Sequence, residues 1–321
     1  MLQLYFTSIL SFAITIVIGI FAIPVLIRLK FGQTVREDGP RRHLKKTGTP
    51  TIGGVIFIPA VAIAALVFAG ASARTLAAVM CMLSFGTIGY IDDYIKTSLK
   101  RSLGLRANQK LLLQLIFSWA LSLYAHNVSP NTTVIMAPFF SKGIDVGFLF
   151  IPFTMFVIIS TVNSVNIADG LDGLVSGIMA VVSFFYTLVM LKLGLEDLSF
   201  FSAAITGGCI GFLVYNFYPA KVFMGDTGSL GLGGALAALL VLSGTQFYML
   251  AFGMIFFIEA LSVVIQVIFF KATGRRIFRM SPLHHHFELV GWSERKVVFV
   301  FWGFTLITCV LGYVVFIATS F

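Results

Sequence analysis

Acidic and histidine residues stand at the ends of long apolar runs in this sequence. Asp92 and Asp93 follow one run, Asp169 and Asp172 precede another, Asp226 precedes a third, and His284, His285 and His286 precede a fourth. Carboxylates are hard oxygen donors that suit Mg²⁺ held jointly with substrate phosphates, and cations clamp the charge moved in phosphoryl transfer. Five acids and three histidines, lying near many Lys and Arg, therefore fit a metal-bridged diphosphate. Histidine is a poor Mg²⁺ ligand, so the His run is expected to contact phosphate oxygens or to orient an acid. Zinc is the lesser alternative, because neighbouring side chains rarely converge on one ion.

Taken singly, each of these residues has a structural explanation. An Asp at a helix start caps it or meets its dipole, and adjacent acids such as Asp92-Asp93 make a solvated helix end. The His run is too short for an expression tag and lies between Pro282 and Phe287, ahead of another apolar run. The coincidence of all four clusters on one membrane face, derived below, favours function. Gly225-Asp226-Thr227-Gly228-Ser229 opens a run whose free backbone N–H groups could face a phosphate, although Gly also eases close helix packing. Residues 46–54, Lys-Thr-Gly-Thr-Pro-Thr-Ile-Gly-Gly, introduce another run in the same way. Glu259 lies inside a run, where an ionisable group is functional or paired; a structural partner in the bundle is favoured over a lipid-groove role.

The elements that position these residues are membrane spans. The chain is 58% hydrophobic and only 11% charged, against about a quarter charged in soluble domains. Its apolar runs give ten candidate helices at about 4–27, 52–70, 74–91, 111–125, 146–162, 173–191, 198–217, 228–243, 246–270 and 297–319, each near the roughly 20 residues a bilayer requires. The first has no cleavage pattern and reads as a span rather than a leader. Of 22 Lys and Arg, 19 fall in odd-numbered loops; only Arg74, Lys142 and Lys192 fall in even ones. Basic short loops stay in the cytoplasm, so the odd loops, with all four clusters, are cytoplasmic and both termini are outside. The fold class is all-α and polytopic, a single membrane domain over 1–321 without internal repeats. The charge of +9 then reflects topology and anionic headgroups, not nucleic-acid binding. Cys81, Cys209 and Cys309 lie far apart in apolar runs and suggest neither disulfides nor a metal knuckle. Asn131-Thr132-Thr133 matches a glycosylation acceptor in the fourth, external loop.

Five segments carry a resemblance: residues 45–54 (KKTGTPTIGG), 92–96 (DDYIK), 166–174 (NIADGLDGL), 216–234 (NFYPAKVFMGDTGSLGLGG) and 281–288 (SPLHHHFE). Together, and in this order, they resemble the phospho-N-acetylmuramoyl-pentapeptide-transferases, within the polyprenyl-phosphate N-acetylhexosamine-1-phosphate transferase superfamily. The last segment is the most discriminating, since related transferases share the acidic motifs but usually differ there. The resemblance implies transfer of phospho-MurNAc-pentapeptide from its UDP carrier to undecaprenyl phosphate, giving lipid I and UMP, with Mg²⁺ as cofactor. It also implies ten helices, an outside N-terminus, the bacterial inner membrane and often a homodimer. Residue by residue, it implies that Asp226 binds the metal and that Asp92 and Asp93 line the same centre. Lys46, Gly170, Leu171, Asp172, Asn216 and Phe223 match positions around the uridine, with Phe223 stacked on the uracil. Lys96, Lys110 and His284 to His286 match positions near the diphosphate.

A lipid phosphate has a second pKa near about 6, so its oxygen needs little help from a general base. Direct attack on the β-phosphorus is favoured over a covalent phosphoryl-enzyme on Asp92 or Asp93. The rival from another class, a transporter of an anionic solute, predicts polar groups near mid-membrane from both halves of the chain.

Overall fold

The computed structural model describes residues 2–29, 46, 48–98, 104–128 and 133–319. Most of the basic first loop, Lys100 and the Asn131 acceptor lie outside the described residues. The helices are α1 (Leu2–Arg28), α2 (Gly54–Ala69), α3 (Ala73–Ser98), α4 (Ala107–Val128), α5 (Phe150–Ala168), α6 (Leu174–Lys192), α7 (Glu196–Asn216), α8 (Gly225–Leu242), α9 (Met249–Phe252), α10 (Met254–Thr273), α11 (Leu283–Val290) and α12 (Glu294–Thr319). A two-stranded antiparallel hairpin, β1 (Val134–Ala137) and β2 (Phe140–Asp145), sits between α4 and α5.

Each of the ten expected spans has its helix. Among the described residues nine helices are long and apolar enough to cross a membrane, and the tenth, α2, has 16 residues. At 1.5 Å per residue α2 spans about 24 Å, short of a bilayer core of roughly 30 Å. It begins only at Gly54, where residues 50–54 pair with 223–224. Gly53 N–H donates to Phe223 O at 2.9 Å and Gly54 N–H to Met224 O at 3.0 Å. The ninth span is also interrupted: α9 ends at Gly253 and α10 restarts at Met254.

Helix α8 is the hub. Every residue from Thr227 to Val241 is buried, which only small side chains permit when helices close in from several sides. Glycines make the contacts. A Cβ on Gly89 of α3 would strike the Asp226 carbonyl, one on Gly54 would strike the Gly228 backbone, and one on Gly233 would lie 2.7 Å from Val162 Cα on α5. Gly225 has φ +71, and a Cβ there would sit 2.6 Å from Asp93 Oδ2 and 2.7 Å from Thr51 Oγ1. Position 225 thus requires glycine on both steric and backbone grounds.

The hairpin and α11 were not expected from the sequence. Lys110 at the start of α4 and Asn166 at the end of α5 both reach Asp226, so the connection between these two antiparallel helices lies at the opposite end of the bundle. The hairpin buries Ile135 and Ala137 against that end, where Met136 N–H donates to Gly244 O at 2.8 Å.

Candidate active site

Three carboxylates converge at one end of the bundle: oxygens of Asp92, Asp93 and Asp226 all lie within 4.8 Å of one another. Asp92 and Asp93 are on the last turns of α3, and the backbone approach at Gly89 brings them to the first turn of α8. Asp93 is consumed in that junction. Its Oδ1 accepts Asp226 N–H at 3.1 Å, and its Oδ2 accepts Thr227 N–H at 2.8 Å and Thr227 Oγ1–H at 2.7 Å. It therefore caps α8 from a different helix, satisfying two of the N–H groups that a helix start leaves open. Asp92 is buried, accepts Leu105 N–H at 2.8 Å on Oδ1, and meets Lys96 on Oδ2.

Asp226 is the carboxylate turned toward cations. Its Oδ2 accepts from Lys96 Nζ at 2.9 Å and Lys110 Nζ at 3.0 Å, and its Oδ1 accepts from Asn166 Nδ2 at 2.8 Å. Asn166 also donates to Ser229 Oγ at 2.8 Å, which ties α5 to α8. Asn166 had not been singled out in the sequence, and Thr227 only as part of the Gly-rich run 225–229; both lie inside the resembling segments. Hard carboxylate oxygens beside two ammonium groups suit a divalent cation. Mg²⁺ commonly takes only one or two protein carboxylates and fills its shell with water and phosphate. Asp226 and Asp92 each face an ammonium group that a divalent cation could displace, whereas the partners of Asp93 are the backbone and Thr227 at the start of α8.

A second cluster joins the loops around this centre. Lys46 Nζ lies 2.7 Å from Asp172 Oδ1 and 2.6 Å from Glu294 Oε1, and the same Glu294 oxygen accepts Asp172 N–H at 2.8 Å. Asp172 Oδ2 accepts Ala220 N–H at 3.0 Å. Glu294, at the head of α12, escaped sequence reading because it precedes Arg295 and Lys296 and looks like a solvated helix start. Asn216 is buried, and three hydrogen bonds hold it: Oδ1 accepts Gly173 N–H and Ser176 Oγ–H at 3.1 and 3.0 Å, and Nδ2 donates to Val222 O at 3.0 Å. Phe223 is half-buried, with its N–H donating to Pro50 O at 2.8 Å. Leu171 is buried.

The three histidines part company. His284 is buried against Glu259 of α10, with its ring Nδ1 3.2 Å from Glu259 Oε2 and its backbone N–H 3.1 Å from Oε1. Its other nitrogen faces Gly170 so closely that a Cβ there would collide with it. His285 Nδ1 lies 3.0 Å from Glu288 Oε2, and His286 Nδ1 accepts Arg279 N–H at 3.1 Å. Glu259 thus has its partner within the bundle, as favoured from the sequence.

Asp169, between α5 and α6, lies near three other carboxylates. Burial, then Asp226, Asp93 and Asp172, push its carboxyl well above the usual carboxylate range. Perturbed acids of this kind gather at functional sites. Since the folded protein then holds a proton that the unfolded chain has released above about pH 3.9, stability falls as pH rises from there to the folded pKa. Asp169→Asn is therefore expected to raise the thermal midpoint. Its advantage over the parent should be absent below that window, grow through it and then level off; a constant advantage from acid to neutral pH would refute this.

Residues 75–244, which include all three converging carboxylates, match the family described as glycosyl transferase family 4. Relatives extend the match to nearly the whole chain. The phospho-N-acetylmuramoyl-pentapeptide-transferase of Acetivibrio thermocellus is 49% identical over 96% of this chain and 94% of its own length. The proteins of the same name from Alkaliphilus oremlandii and Clostridioides difficile are 50% and 48% identical, over 97% and 98% of each chain respectively. The chain belongs to the phospho-N-acetylmuramoyl-pentapeptide-transferase family. It is a membrane-embedded transferase, and its five resembling segments supply most of the groups that build this site, with Lys110 and Glu294 coming from outside them. Four of the family-implied positions, Asp92, Asp226, Lys96 and Lys110, form the charged centre. Lys46, Asp172 and Asn216 form its adjoining wall, braced by Glu294.

Proposed function

We propose that the chain transfers phospho-MurNAc-pentapeptide from UDP-MurNAc-pentapeptide to undecaprenyl phosphate, forming lipid I and releasing UMP in peptidoglycan synthesis. The observation that carries this reading is Asp226, held at the start of α8 by Lys96, Lys110 and Asn166 with Asp92 alongside. An acidic centre that already attracts two ammonium groups is suited to a cation and a diphosphate together. Relatives at about half identity over nearly full length bear the name of this reaction.

Mg²⁺ is the proposed cofactor. Asp226, with Asp92, would hold it, and when bound it would neutralise charge on the diphosphate oxygens. Lys96 and Lys110 are placed to turn from Asp226 to those oxygens. Lys46, Gly170, Leu171, Asp172, Asn216 and Phe223 are assigned to the uridine, and His284 to His286 to the diphosphate side. An oxygen of the lipid phosphate, largely deprotonated at neutral pH, attacks the β-phosphorus. The bond from that phosphorus to the bridging oxygen breaks, and its electron pair leaves on the phosphate of UMP. The commitment of both Asp93 oxygens to α8 supports this single displacement over a covalent intermediate on that residue.

In this reading the site faces the cytoplasm, both termini are outside, the chain forms a single domain over 1–321, and it works in the bacterial inner membrane as a homodimer. A cysteine placed at exposed Lys221 should resist an impermeant thiol reagent in intact cells, while one at exposed Phe148 should react; the reverse would invert the topology. The native cysteines are buried, so background labelling is low. A transporter fits poorly, because the described charge clusters gather at one end of the bundle. Purified protein should release UMP from UDP-MurNAc-pentapeptide only with both a polyprenyl phosphate and Mg²⁺. Equal release from UDP-N-acetylglucosamine would favour a related hexosamine-phosphate transferase, and release without any acceptor would refute the proposal.

A further inference from the structure

Glu259 is fully buried within α10, a membrane-spanning helix, and both of its oxygens go to one residue. Capping α11 needs only the contact from Oε1 to His284 N–H. The second oxygen is spent on the ring, 3.2 Å from Nδ1. His284 is itself 1% exposed, and its Nε2 has no hydrogen-bond partner among the described residues. That nitrogen points at Gly170, between Asp169 and Leu171, where any side chain would collide with it. Burying an imidazole with one nitrogen unpaired is unfavourable for packing alone, whereas a ring held by one nitrogen and offered by the other is how proteins fix a histidine tautomer for work.

We propose that Glu259 is a positioning residue for the transfer reaction: it takes the Nδ1 proton of His284 in a hydrogen bond and so aims Nε2 at the Asp169–Leu171 loop. There Nε2, left as an acceptor in this tautomer, is offered to an O–H or N–H donor of the bound nucleotide substrate. This rests on the transferase reading for its consequence, but the hold of Glu259 on the ring stands independently of it. Glu259 contributes no atom to the reaction; it acts through His284.

The test is a double-mutant cycle with Glu259→Gln and His284→Ala, read as kcat/KM for UMP release in detergent or nanodiscs. Gln keeps an oxygen for His284 N–H but turns an amide NH₂ toward Nδ1, forcing the proton onto Nε2. Loss of an orienting partner typically costs about 10–100-fold, and Glu259→Gln should fall in that range. Adding it to His284→Ala should cost nothing more. Losses that multiply would overturn the proposal, since they would mean that Glu259 acts elsewhere. A second measurement needs no activity: ¹⁵N-histidine NMR should show His284 protonated at Nδ1 in the parent and at Nε2 only in Glu259→Gln. An unchanged tautomer would also overturn the assignment. If the parent releases no UMP, the transferase reading fails, and the spectrum still decides whether Glu259 sets the ring.

Discussion

Replacing Asp226 with Asn is expected to lower turnover by at least about a hundredfold while leaving the bundle folded. The side chain keeps its shape, and its backbone N–H remains capped by Asp93. What disappears is the negative charge shared by Lys96 and Lys110. An amide keeps one oxygen but is a far weaker ligand for a hard divalent ion, so residual activity should need much more Mg²⁺ than the parent. The measurement is UMP release across a Mg²⁺ titration, with thermal unfolding as the control for folding. Near-normal turnover with an unchanged Mg²⁺ dependence would remove Asp226 from the metal site.

Asp93→Asn should fail differently. Three donors converge on the Asp93 carboxylate, and an amide presents an NH₂ where one oxygen accepted. A buried donor then faces other donors, at a cost of about 1–3 kcal/mol, and the first turn of α8 loses the anion at its positive end. The thermal midpoint should therefore drop, and turnover should fall with it as Asp226 shifts. No sugar-phosphate adduct should be trapped in this variant. In the parent, mixing with UDP-MurNAc-pentapeptide alone should give no burst of UMP, provided that mass spectrometry shows the preparation free of polyprenyl phosphate. A lipid-free burst approaching one UMP per site would establish a covalent route, and an unshifted thermal midpoint for Asp93→Asn would contradict its role as a cap.

These two variants mark the limit of what the residues alone disclose. Spans were legible because an apolar run of membrane length has one stable use, and the charge asymmetry brought the four polar clusters to one end. The carboxylates of Asp92 and Asp93 look alike in sequence, yet one faces a lysine and the other closes a helix. That difference arises from the glycine contact at Gly89, a backbone approach that no local pattern records. Lys96 and Lys110 were placed by resemblance only, since a basic residue beside a membrane span has a topological explanation as well. Glu294 was hidden by its basic neighbours, and α11 by a length of eight residues, too short for a helical period to declare itself. The β1–β2 hairpin follows from packing on Gly244, a contact far away in the chain.

The burial of α8 has a consequence for biogenesis. Chains enter the membrane from the N-terminus as they are made, at about 5–20 residues per second. Helix α3 is therefore inserted roughly ten seconds before α8 exists to cover it. During that interval the glycine face of α3 has no partner, and Asp92 and Asp93 have neither their cap target nor their fellow carboxylate. Their place on the last turns of α3, within six residues of its end at Ser98, favours hydration of both acids until α8 arrives. Moving the pair one or two turns deeper would strand two charges in lipid before their partners had been translated.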